Sequence, residues 1–91
     1  MTFSVIFHPE AAKEIARLDA DTKERLKNAI IERLMTEPSL YGKPLRGTLR
    51  GYWKLRVGDY RVVFGMDNND IIVYAVCHRK KVYQLVKNHL G

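Results

Sequence analysis

Tyr52-Trp53-Lys54-Leu55-Arg56-Val57-Gly58-Asp59-Tyr60-Arg61 is the stretch in which hydrophobic residues begin to alternate strictly and cations take the places between them. Successive side chains of a strand point to opposite faces, so Tyr52 to Val57 puts Trp53, Leu55 and Val57 on one face and Tyr52, Lys54 and Arg56 on the other. One face is then core, and the other presents charge. Gly58-Asp59 is a tight-turn pair that folds a second run, Tyr60 to Met66, back beside the first. In that run Tyr60, Val62, Phe64 and Met66 share a face and Arg61 lies on the other. Lys54, Arg56 and Arg61 are thereby expected to gather on adjacent strands.

Downstream, Asp67-Asn68-Asn69-Asp70 reads as a second hairpin turn. Its spacing is not that of a calcium loop, and turn chemistry accounts for all four residues, so no metal is expected. Ile71 to Val76 is apolar almost throughout, as in a central strand covered on both faces. Cys77 extends that run and reads as a small core residue. His78-Arg79-Lys80-Lys81 leaves the strand. Val82 to Leu90 is predicted to form a short last helix, with Val82, Leu85 and Val86 packing and Lys87 and His89 near its negative end.

Upstream, Ser39 to Gly51 contains Pro44 and three of the chain's six glycines and shows little periodicity, which predicts a loop. Its Lys43, Arg46 and Arg50 are placed to fringe a phosphate-binding surface. Before it, Leu26, Ala29, Ile30 and Leu34 share a helical face; Asp21 is the expected N-cap, Glu24 follows three residues later, and Glu37-Pro38 closes the helix. Ala11, Ala12, Ile15 and Leu18 form the stripe of an earlier helix that starts at Pro9, with His8 at its boundary. Phe3, Val5 and Phe7 alternate with Thr2, Ser4 and His8 as an opening strand.

The 91 residues suffice for one compact domain, here residues 1–91, and the 46% hydrophobic content argues against wholesale disorder. No apolar run approaches the roughly 20 residues that span a bilayer, and the N-terminus shows no secretory signal, so a soluble cytoplasmic chain is expected. Charge is distributed unevenly. Before Leu40, six bases face seven acids, whereas from Leu40 onward ten bases face three acids, so the whole net charge of +6 arises in the second half. Such asymmetry points to a polyanionic partner: nucleic acid, or an acidic protein segment.

The order β-α-α-β-β-β-α, together with Leu45-Arg46-Gly47, Leu55-Arg56, Gly58-Asp59-Tyr60-Arg61-Val62-Val63-Phe64 and His78-Arg79 followed by Val82-Tyr83, resembles the RelE/ParE superfamily of toxins from type II toxin-antitoxin systems. The resemblance covers nearly the whole chain. It implies an α+β fold in which a helical hairpin packs on a small, mainly antiparallel four-stranded twisted sheet. For the RelE-like branch it implies a toxin that enters the ribosomal decoding site and cuts mRNA without a metal or other cofactor, neutralised by a cognate antitoxin that covers the basic face. Carried over by position, Lys54 would be a base or electrostatic contact, Arg61 a phosphate clamp, Arg79 a phosphate stabiliser or proton donor, and Tyr83 a stacking or proton-relay group. His78 is a further candidate acid or base, and in strand register it faces away from Arg79. Arg46, Arg50, Arg56, Lys80 and Lys81 would be peripheral RNA or phosphate contacts. Some RelE-like toxins carry a lysine where this chain has Tyr52, a residue suited instead to stacking on a base. Two other readings fit the same residues: a ParE-like inhibitor of DNA gyrase, and a noncatalytic basic RNA-binding module.

Overall fold

The computed structural model describes residues 2–82 and 84. Strand β1 (Ser4–Phe7) runs into helix α1 (Pro9–Ala16). Proline fills the first helical turn, where its missing N–H costs nothing, and His8 caps the helix by accepting from the Glu10 amide at 3.2 Å. His8 therefore serves the boundary at which its sequence position put it. Ala11 is fully buried and lets α1 approach the sheet closely, while Oε1 of Glu14 accepts from the Val76 amide at 2.9 Å and ties the helix to the last strand.

Helix α2 (Ala20–Ala29) is capped by Asp19, which accepts from the Thr22 amide at 2.7 Å. The cap lies two residues before the expected Asp21. Asp19 has the extended backbone that a cap requires (φ −71°, ψ 166°), and the Thr22 hydrogen bonds hold its carboxyl below the usual aspartate range. The helix continues as a π-helical turn, Ile30–Leu34, in which the Met35 amide reaches the Ile30 carbonyl at 3.0 Å; Ile30 and Leu34 both enter the core.

The segment expected as a loop has structure of its own. It holds a one-turn helix α3 (Pro38–Tyr41), a two-residue strand β2 (Lys43–Pro44) and a 3₁₀ turn, Gly47–Leu49. Elements this short carry no periodicity, so the sequence could not signal them. Gly42, between α3 and β2, is buried because a side chain there would collide with its surroundings: a Cβ would lie 2.6 Å from the Phe64 ring and 2.9 Å from the Pro38 carbonyl oxygen. Gly42→Ala is expected to cost about 1–3 kcal/mol through overpacking, read as a lower urea midpoint at unchanged slope.

Strands β3 (Trp53–Val57), β4 (Tyr60–Asp67) and β5 (Asp70–His78) form an antiparallel meander. Gly58 takes φ 58° in the first turn and Asn68 takes φ 56° in the second, left-handed conformations that these two residue types tolerate. β1 pairs with β5 in parallel, Ser4 opposite Asp70, and β2 adds antiparallel to β3, giving the order β1-β5-β4-β3-β2. The sheet thus has five strands rather than the four expected; the addition is Lys43–Pro44. The expected helix Val82 to Leu90, with Tyr83, Lys87 and His89, lies outside the described residues except for Val82 and Gln84.

The sheet has two covered faces. Toward the helices, Leu55, Val62, Phe64, Ile71, Val73 and Val76 pack with Leu26, Ile30 and Leu34. On the opposite face Val63, Ala75 and Cys77 form a smaller cluster beneath Leu45 and Val82. A bulge reconciles the two sets. Val63 opposes Ala75 but Phe64 opposes Val73, so Tyr74 is an extra residue and the inward positions of β5 change from odd to even. Cys77 is a core residue, as expected, and burial pushes its thiol up to about 11 from 9.0, with Glu14 adding to the shift and Arg61 opposing it. Because the folded pKa exceeds the unfolded one, this stabilising term is complete below pH 9 and is lost as pH rises toward 11. Stability measured at pH 8 and pH 10.5 should therefore fall more in the wild type than in Cys77→Ala.

Candidate nucleic-acid interface

Lys54, on the face of β3 away from the helices, stands between Lys43 of β2 and Val63 of β4 in the strand register. Arg56 stands directly opposite Arg61. Like charges facing each other across an antiparallel pair are unfavourable, so this arrangement is not one that stability alone would select. Tyr41, Lys43, Lys54, Arg56 and Arg61 line an open pocket of about 190 Å³, with four cations and no carboxylate among them. The hairpin expected to gather Lys54, Arg56 and Arg61 does so. Lys43, placed at the fringe by sequence, stands instead beside Lys54, because the two-residue β2 pairs with β3 at that point.

Arg61 is half-buried, and its Nη1 donates to the Gly58 carbonyl at 3.0 Å and to the Tyr60 carbonyl at 2.9 Å. Among the described residues no aspartate within ion-pair distance neutralises it. The turn thus aims the guanidinium. The Arg79 amide donates to the Asp59 carbonyl at 2.8 Å, so the segment after β5 is tied to the same turn that holds Arg61. The Arg79 side chain is exposed, as are Lys80 and Lys81.

His78 faces the other way. It lies opposite Tyr60, a residue packed against the helix-side core, and their rings meet edge-on at 5.9 Å; its Nδ1 also accepts from the Lys80 amide at 3.3 Å. The structure does not bring His78 together with Lys54 and Arg61. Arg46 and Arg50 are exposed at the two ends of the 3₁₀ turn; Arg50 lines a separate hollow with Tyr52. Tyr83 lies outside the described residues.

Tyr41 and Arg33 are additions that the sequence did not signal. Arg33 sits 5.8 Å from the centroid of the Tyr41 ring and donates to the Arg56 carbonyl at 3.4 Å, covering β3 where no strand flanks it. Arg33 lies off the apolar face that Leu26, Ala29, Ile30 and Leu34 share, and α3 was not visible as a helix.

Chemically, the pocket can attract a phosphodiester and neutralise charge that builds on it. The chain matches the family described as the ParE toxin of type II toxin-antitoxin systems over residues 5–83. It is 30% identical over 90 residues to Toxin RelG of Mycobacterium tuberculosis, covering 92% of this chain and 99% of that protein. Toxin RelE of the same organism is 28% identical over 85 residues, covering 91% of this chain and 88% of that protein. The toxin-antitoxin complex RelBE2 of M. tuberculosis contains a chain that superposes with a TM-score of 0.82 at 27% identity, covering 87% of this chain and 93% of that one. The fold, the cationic face and the match across nearly the full sequence agree, and the chain belongs to the RelE/ParE superfamily of type II toxins.

Proposed function

We propose that this toxin is a ribosome-dependent mRNA endonuclease that inhibits translation by an internal displacement requiring no metal. The ribose 2′-oxygen attacks the adjacent phosphorus as its proton is taken up, and the 5′-oxygen leaves with a proton. The observation that carries the reading is the four-cation pocket, which offers a crowded phosphate Lys43, Lys54, Arg56 and Arg61 with no carboxylate among the described residues that line it. Lys54 is the candidate base or electrostatic contact, Arg61 the clamp, and Arg79 the stabiliser or proton donor. Tyr83 is proposed as a stacking or relay group from the resemblance alone. A cognate antitoxin is the natural protein partner, since the similar RelBE2 chain occurs in a toxin-antitoxin complex. An acidic antitoxin segment laid across the pocket would mask it, so affinity for the antitoxin should fall steeply as salt rises from 0.1 to about 1 M; a salt-insensitive complex would contradict that docking mode.

The family description names ParE, which favours a second reading, a gyrase-directed toxin with no nuclease chemistry. Brief expression of wild type and of Arg79→Ala plus Tyr83→Phe, followed by mapping of mRNA 5′ ends, separates the two. Codon-phased cuts that disappear in the variant support the nuclease, and DNA damage without cuts supports the gyrase inhibitor.

A further inference from the structure

Gly65 interrupts the apolar run Val62 to Met66 of β4, and a hollow lies beside it on the sheet face that carries Lys54. Glycine inside a strand weakens it and marks a close approach. Here the approaching group is Tyr74, the bulged residue of β5, whose ring carbon Cε2 lies 3.1 Å from the place a Gly65 Cβ would occupy. From the other side Tyr52 meets Tyr74 edge-on, with centroids 5.3 Å apart and planes at 87°. The hollow holds about 330 Å³, and Arg50, Asp67 and Ile72 are among the other residues that line it. Tyr52, immediately before β3, comes two residues before Lys54, a spacing of about 7 Å in extended chain, comparable to one nucleotide of extended single strand.

We propose that this hollow is a nucleobase subsite, one nucleotide from the phosphate held at Lys54 and Arg61, for a base bearing an exocyclic amino group. This rests on the RNA-cleavage reading and extends it to selectivity. The tyrosines supply a π surface, which accepts any base. Asp67 adds discrimination, because a carboxylate accepts a hydrogen bond from the amino group of cytosine, whereas the corresponding carbonyl of uracil offers only lone pairs. The same carboxylate makes the hollow a poor phosphate site, so Arg50 at its rim is assigned to the backbone of the bound strand.

The test uses cytidine 5′-monophosphate, uridine 5′-monophosphate and ribose 5-phosphate, titrated into the intact protein while tyrosine ring resonances are followed. Cytidine monophosphate should bind about tenfold more tightly than ribose 5-phosphate, with Tyr52 and Tyr74 shifting. Tyr74→Leu should erase that advantage. Asp67→Asn, at the exposed end of β4, should remove the preference for cytidine over uridine while leaving the fold intact. Equal affinity for cytidine monophosphate and ribose 5-phosphate, or shifts confined to the Lys54 and Arg61 region, would overturn the subsite. Mapping cleavage on ribosomes programmed with codons that differ only by cytosine or uracil distinguishes the two levels of inference. Cutting without discrimination in any codon position sinks the subsite and leaves the nuclease. Base-selective binding with no cutting sinks the nuclease and leaves the subsite.

Discussion

Arg61→Ala is expected to lower mRNA cleavage by about two to three orders of magnitude, the loss typical of removing one preorganised group that meets developing charge. Arg61 is half-buried and aimed by the Gly58 and Tyr60 carbonyls, so its orientation is set before substrate arrives. Its removal exposes two turn carbonyls to water, which costs only about 1 kcal/mol of stability. Activity and stability should therefore separate: mapped cuts disappear while the melting temperature falls by only a few degrees. Arg61→Lys should be intermediate, since one ammonium cannot hold both carbonyls and present a planar fork to phosphate. Wild-type cutting by Arg61→Ala would remove Arg61 from the site.

Phe64→Ala is expected to cost about 3–5 kcal/mol, much of the ~5–15 kcal/mol that holds a small domain together. Phe64 is fully buried, stacks on Trp53 with centroids 6.4 Å apart, and occupies the space that Gly42 leaves. Truncation opens a cavity between β3, β4 and the α3–β2 corner, whose backbone is held by the Leu45 amide bond to the Tyr52 carbonyl at 2.8 Å. Urea denaturation should show a largely unfolded population at low denaturant, whereas Phe64→Leu should keep most of the stability. A Phe64→Ala midpoint close to wild type would mean the corner collapses onto the gap, and the rigidity argued for Gly42 would fail with it.

What could be read beforehand follows the range of the interactions. The β3–β4 hairpin was legible because strict alternation and Gly58-Asp59 are local signals, and their outcome, Arg56 opposite Arg61, depends on nothing distant. The bulge at Tyr74 was not, because Ile71 to Cys77 is apolar almost throughout and no residue in it marks a change of face; the changed parity decides that His78 meets Tyr60. Asp19 and Asp21 are both competent caps, and the choice rests on where the chain leaves α1. Lys43 entered the pocket through a two-residue pairing, too short to leave a periodic trace. Charge asymmetry pointed to the second half of the chain, where Lys43, Lys54, Arg56 and Arg61 line the cationic pocket, yet Tyr41 and Arg33 beside it come from the balanced half or its edge.

The parallel pairing of β1 with β5 has a consequence for the order of events during synthesis. Ser4 must wait for Asp70, and Phe7 for Val73, so the first strand made finds its neighbour only after the pocket-bearing hairpin has been translated. Long-range closure of this kind is slow compared with hairpin formation. A growing chain therefore displays Lys54 and Arg61 on a two-stranded ribbon that is only marginally stable in water, and acquires a firm platform beneath them once β5 arrives. The cationic residues then gain a firm platform only when β5 has been made, and a message truncated before β5 would yield a polypeptide with those residues and no rigid surface beneath them.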